Sequence, residues 1–275
     1  MKSVKFTALG DIGVDIYPQT GQKYPGGMAL NNAIYATRAG AISTVISAVG
    51  RDVAGATALS FLQKENVLVD KIKKIEGGKT QSIEVVLDSR KVQDYQNWDL
   101  GVLSDFIPDA DDVEYLSTQD LAISFYLPEF ANFFDKFAGF QFNKTLKVGD
   151  FTDLSEHGGD VQFLKNYKGK FDWYVLSIDE NKRGERLEEF EKLIIDGGFS
   201  GLALLGDKGS TVIHAGKIYH ESALDVKVVD TTGAGDSYVA TFFTKYLQTS
   251  SIEQSMKAAT ESAAKTIQGY GAVVS

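Results

Sequence analysis

Val229-Asp230-Thr231-Thr232-Gly233-Ala234-Gly235-Asp236 runs directly into Ser237-Tyr238-Val239-Ala240-Thr241-Phe242-Phe243-Thr244-Lys245-Tyr246-Leu247. The second part is apolar enough for a buried helix, and the first places small residues at its start. Small residues let backbone N–H groups at a helix N-terminus approach an anion closely, and the helix dipole adds favourable potential there. The segment therefore reads as an anion cradle. A carboxylate at Asp236 is out of place in a site that only binds phosphate, because it repels the ligand. It suits a base that takes a proton from an attacking hydroxyl. The competing reading is a plain helix cap, a common role for Asp at a helix start.

Outward from this segment the chain alternates strand and helix signals. Residues 252–267 read as a further helix. Toward the N-terminus, buried-strand patterns occur at 4–9, 44–49, 121–126, 146–148, 173–177 and 202–205, separated by helical patterns at 31–39, 52–64, 129–137, 161–167 and 185–195. Such alternation predicts an α/β fold with a mostly parallel central sheet flanked by helices. The middle breaks the rhythm. Residues 81–88 alternate imperfectly, as a half-exposed strand does, and the segment after them is polar and aromatic. Residues 12–25 and 75–105 are accordingly expected to form a small β lid on one domain spanning 1–275. The lid is expected to close over a ligand; a static appendage or a homodimer contact through the lid is the alternative. The acidic cluster Asp109, Asp111, Asp112 and Glu114 reads as the polar start of a helix after Pro108, in preference to a metal site.

Composition narrows the function. The chain has 275 residues, long enough for a sizeable core. Its 28 Lys and Arg against 37 Asp and Glu leave a net charge of −9, which repels nucleic-acid and anionic lipid surfaces. Neither nucleic acid nor a membrane is expected as a partner. The absence of cysteine excludes disulfides, thiolate metal sites and cysteine nucleophiles, and fits a reducing cytoplasm. Two apparent motifs fail on context. Gly78-Lys79-Thr80 ends like a Walker A loop, but Lys73 stands where the first glycine is needed and a strand follows, so a turn between lid strands is expected. Gly198-Phe199-Ser200-Gly201 is one residue short of a GxSxG elbow.

The segment 230–236 resembles the C-terminal signature of the PfkB, or ribokinase-like, carbohydrate kinases. The N-terminal half is similar in order and spacing: Gly10 to Asp15 (GDIGVD), Gly26-Gly27 with Asn31, and Gly50-Arg51-Asp52 with Gly55 (GRDVAG). The resemblance implies a ribokinase-like α/β fold, ATP as co-substrate with Mg2+, and transfer of the γ-phosphoryl group to a sugar hydroxyl. It implies that Asp236 is the catalytic base, with the Gly233, Ala234 and Gly235 backbone as anion hole. Asp15, Gly26, Gly27 and Asn31 fall at the sugar site. Gly206, Lys208, Gly209 and Thr232 fall against the nucleotide, although Leu204 stands where Thr is common. Glu180 would orient Mg2+ through water, with Ser177 replacing the family's Asn, and Asp230 would help hold a monovalent cation such as K+. The stretches GDIGVDIYPQ, GGMALNNAIYATRAG, VQDYQNWDLGVLSDF and SAAKTIQGYGAV are most similar to members acting on fructosamines such as fructoselysine, which implies a primary hydroxyl of a sugar–amine as acceptor. Another small sugar or nucleoside, or a non-catalytic sugar sensor, is the alternative.

Overall fold

The computed structural model describes residues 3–88, 93–178 and 183–274. The N-terminal half contains β1 (Val4–Leu9), β2 (Gly13–Tyr17), β3 (Gln22–Gly26), α1 (Met28–Arg38), β4 (Ala41–Gly50), α2 (Val53–Lys64), β5 (Ile72–Ile75), β6 (Gln81–Leu87) and β7 (Gln93–Asp99). The second half contains α3 (Ala110–Leu116), β8 (Leu121–Phe125), α4 (Ala131–Gly139), β9 (Leu146–Asp153), β10 (Trp173–Ser177), α5 (Arg183–Gly197), β11 (Ser200–Leu204), β12 (Ser210–His214), β13 (Lys217–Glu221), α6 (Ala234–Thr249) and α7 (Ile252–Thr266).

Nine strands form the main sheet in the order β13-β12-β11-β10-β9-β8-β1-β4-β5. All pairings from β11 to β5 are parallel, whereas β12 and β13 add an antiparallel hairpin at one edge. A parallel sheet needs apolar cover on both faces, and the strands supply it by alternation. Trp173 and Val175 of β10 enter one core with Ala33 and Ile34 of α1 and Val239, Phe242 and Phe243 of α6. Tyr174 and Leu176 enter the other with Phe133, Phe134 and Phe137 of α4 and Phe190 of α5. Most side chains of the strands from β12 to β4 are thereby buried, and the loops at the strand ends are left to carry polar chemistry.

A second, four-stranded sheet has the order β3-β2-β6-β7, with β2 and β6 parallel. It draws on residues 13–26 and 81–99, while β5 belongs to the main sheet. Gly78-Lys79-Thr80 is therefore not a turn between strands of the small sheet: it lies in the connection from β5 to β6. Thr80 anchors that connection. Its N–H and hydroxyl donate to the Asp52 carboxylate at 2.8 and 2.6 Å, and the Gly50 N–H donates to its Oγ1 at 3.0 Å. Asp52 also caps α2 by accepting from the Gly55 N–H at 2.7 Å. Trp98 is half-buried rather than exposed, packing 5.6 Å from the Phe130 ring.

Three further features differ from what the sequence patterns suggest. Helix α1 begins at Met28, three residues before the apolar pattern suggests, because Asp11 reaches across to accept its Met28 N–H at 2.9 Å. The β12–β13 hairpin escaped the pattern search because its turn, Ala215-Gly216, lacks an Asn or Asp. Residues 161–167 form a 3-10 helix instead of an α-helix. The acidic cluster behaves as expected: Asp109 and Asp112 form a capping box on α3. Among the described residues no helix is long and apolar enough to cross a membrane.

Candidate active site

Gly233 precedes α6 with φ 76°, and a Cβ there would sit 2.4 Å from the Ala272 carbonyl oxygen. Only glycine meets both conditions. The Ala234 N–H donates to the Thr231 carbonyl at 3.2 Å, and the helix itself offers the next N–H groups of this first turn no carbonyl. Asp236 lies in this first turn but does not cap the helix. Its Oδ2 accepts from Asn31 Nδ2 at 2.8 Å and its Oδ1 from Asn32 Nδ2 at 2.8 Å, both on α1. The capping alternative is thus set aside by geometry: this carboxylate is tied to another helix.

Asp230 and Thr232 form a separate knot beneath the loop. Asp230 is fully buried, and its Oδ2 accepts from the Tyr17 hydroxyl and the Gly271 N–H, each at 2.9 Å. Its Oδ1 accepts from the Thr232 N–H at 2.9 Å, and Tyr17 also reaches Thr232 Oγ1 at 3.3 Å. Its two oxygens offer about four lone-pair sites, so these three donors leave one open to a further ligand. The knot ties β2 and the C-terminal turn to the loop before α6.

The first and second strands contribute the opposite wall. Asp15 of β2 is buried, and its carboxylate lies where a Cβ on Gly26 would approach to 2.2 Å, which explains the glycine. Gly27 has φ 109°, and a Cβ there would meet the Asp11 carbonyl oxygen at 2.6 Å. Asp15, Gly26, Gly27, Asn31 and Asp236 are thus gathered in one cleft.

Burial dominates the electrostatics of this cleft. Desolvation raises the Asp11 carboxyl to about 6 against its own backbone hydrogen bonds, and raises Asp15 to about 7 with the Asp11 and Asp230 charges adding. Desolvation also lifts Asp150, on β9, to about 7. Asp236 is half-buried at the cleft. Desolvation pushes it well above the carboxylate range, the Asn31 amide opposes, and the charges of Asp150, Asp11 and Asp15 add. Among the described residues none of these four carboxylates forms an ion pair.

A stability prediction follows from the sign of these shifts. Asp11, Asp15 and Asp150 have folded-state values above their ordinary 3.8. As pH rises from about 4 to about 7 the folded protein binds more protons than the unfolded chain, so their contribution to stability falls over that window. The ligand-free protein is expected to melt at lower temperature at about pH 8 than at about pH 5, and Asp15→Asn should flatten the decline. An identical slope in the variant would show that Asp15 does not carry a raised pKa.

The turn after β11 completes the surroundings. Gly206 and Gly209 have φ 58° and 89°, and a Cβ on Gly209 would lie 2.0 Å from the Glu221 carbonyl oxygen. The turn lies next to the cradle, because Leu204 Cδ1 is 3.5 Å from where a Cβ on Gly235 would stand. Lys208 is exposed and pairs with Asp207 at 3.3 Å. Glu180 lies outside the described residues, and among those described no group of three acidic or histidine side chains could hold a metal. The sequence reading did not single out Asn32, Tyr17, Asp11 or Asp150 as site residues. Two adjacent amides in the otherwise apolar ALNNAIYA were a visible signal for Asn32; the others depend on contacts distant in sequence.

The pattern of the pfkB family carbohydrate kinase matches residues 4–121 and 202–275. The chain belongs to this family, whose members are phosphotransferases with an alcohol group as acceptor. It is 28% identical over 265 residues to the fructoselysine 6-kinase of Escherichia coli (strain K12), covering 96% of this chain and 97% of that protein. It is 29% identical over 273 residues to fructosamine kinase FrlD of Bacillus subtilis (strain 168), covering 98% and 93%. A structure of Arabidopsis thaliana ribokinase complexed with ribose and ATP superposes with a TM-score of 0.80 at 20% identity, over 98% of this chain and 95% of that one. The fold is ribokinase-like, as the sequence motifs imply.

Proposed function

We propose that this carbohydrate kinase transfers the γ-phosphoryl group of ATP to a primary hydroxyl of a fructosamine such as fructoselysine. The observation that carries the substrate class is the set of carboxylates Asp11, Asp15, Asp150 and Asp236, which has no basic partner among the described residues. A neutral sugar gives these carboxylates no cationic partner. A fructosamine brings a protonated amine beside its sugar ring, and an opposite charge favours ionised carboxylates. The two fructosamine-acting relatives support the same class.

Asp15 and Asn31 bind sugar hydroxyls, with Gly26 and Gly27 allowing close approach. Asp236 accepts the proton of the attacking hydroxyl as the oxygen–phosphorus bond forms. The N–H groups of Gly233, Ala234 and Gly235 stabilise charge developing on the phosphoryl oxygens, and catalysis rests on positioning and electrostatics. Gly206, Lys208, Gly209 and Thr232 border the nucleotide. Magnesium bound to the nucleotide would neutralise phosphate charge, with Glu180 as its candidate water-mediated partner. Mass spectrometry of the product, locating the phosphate on the primary hydroxyl of fructoselysine, tests this reading; a product phosphorylated elsewhere, or none, would overturn it.

The small sheet is proposed as the lid of one domain, built from about 12–25 and 75–105. Asp15 and Tyr17 share β2, so a sugar held by Asp15 acts on the same strand that Tyr17 ties to the cradle. Closure should respond to sugar before nucleotide. Trp98 reports on it, because the other tryptophan, Trp173, is buried in the main core. In a Trp173→Phe variant, saturating fructoselysine without ATP is expected to change Trp98 emission. Unchanged emission, together with unchanged hydrogen exchange over residues 80–88 and 93–100, would show that the sheet is static.

A further inference from the structure

Asp236 is held at both oxygens, and the second grip has no role in the reading above. Asn32 is fully buried on α1. Both protons of its Nδ2 are used: one bonds Asp236 Oδ1 at 2.8 Å, the other the Met28 carbonyl at 3.0 Å. Turning the amide over would set its oxygen against two acceptors, so the orientation is fixed one way. Its Oδ1 is buried without a hydrogen-bond partner. An apolar side chain of the same size would avoid leaving that atom unsatisfied. Packing alone therefore does not explain an amide at this position, whereas a donor aimed at Asp236 does.

We propose that Asn32 is a positioning residue for phosphoryl transfer: its amide fixes the plane of the Asp236 carboxylate and opposes its protonation, leaving Asn31 free to serve the sugar as well. Asn32 itself reaches no substrate. The groups facing Asp236 from the surrounding elements are the carboxylates Asp11 after β1, Asp15 of β2 and Asp150 of β9, and the phenols Tyr35 of α1 and Tyr95 of β7. The three carboxylates all favour a protonated Asp236, and neither phenol, with an ordinary value near 10 that is raised here, supplies a charge at neutral pH. The Asn31 and Asn32 amides are the donors that oppose protonation. Removing one should lower the fraction of working base and loosen its aim.

The inference rests on Asp236 being the base, and two readouts separate its failure from failure of that reading. In Asn32→Leu, kcat near neutral pH is expected to fall roughly tenfold to a hundredfold, as for a lost bond to a charged group. The KM values for ATP and sugar should stay within about twofold, and the acid limb of the kcat–pH profile should move up by about one unit, so that alkaline pH restores part of the loss. Carbon-13 NMR of aspartate-labelled protein, with the Asp236 signal assigned by its absence in Asp236→Asn, should show the same upward shift without any substrate. Asn32→Ala provides a smaller side chain should the leucine variant not fold. An unmoved Asp236 titration, or a kcat loss equal at every pH, would overturn the proposal. An inactive wild type with a shifted titration would instead contradict the kinase reading alone.

Discussion

Asp236→Asn is expected to lower kcat by roughly 10²–10⁴ while leaving sugar and nucleotide binding nearly intact. Asparagine preserves the size of the side chain but cannot take the hydroxyl proton. The geometry separates this outcome from a structural defect, because Asp236 does not cap α6: its oxygens accept from Asn31 and Asn32. A capping residue would cost about 1 kcal/mol of stability with little loss of turnover. Steady-state kinetics beside a thermal melt distinguish the two, and wild-type turnover in a folded variant would remove Asp236 from the chemistry. The raised pKa of Asp236 adds a second expectation for the wild type. The base works only when deprotonated, so the acid limb of its pH–rate profile should lie well above pH 4, the ordinary carboxylate range.

Asp15→Ala is expected to raise the sugar KM by roughly tenfold to a hundredfold while the KM for ATP moves less than about twofold. Asp15 is buried and shares no ion pair among the described residues, so its carboxylate has a ligand role available and a structural one lacking. Burial raises its pKa to about 7. Removing it should therefore not destabilise the ligand-free protein at neutral pH, and the kinetic effect can be read without correction for unfolding. Comparable changes in both KM values would show that Asp15 does not discriminate sugar from nucleotide.

The sequence reading reached the parallel core and the small-residue turn at the start of α6 because both are written locally. Buried strands such as residues 4–9 are short apolar runs, and the Gly233-Ala234-Gly235 turn must be small to form. The misplaced start of α1 and the tie from Tyr17 to Asp230 were not legible in the same way. Each joins residues far apart in the chain, Asp11 to Met28 and Tyr17 to Asp230, and no local pattern records such a pairing. Asn32 lies between these cases. Its amide was conspicuous on an apolar helix, yet only the fold shows that it meets Asp236.

The most direct measurement is kcat/KM for ATP-dependent phosphorylation of fructoselysine, psicoselysine, fructose and ribose by the same preparation. Fructoselysine is expected to exceed both neutral sugars by at least about tenfold, since each lacks the amine that compensates Asp11 and Asp15. Fructose or ribose turned over as efficiently as fructoselysine would contradict a fructosamine kinase.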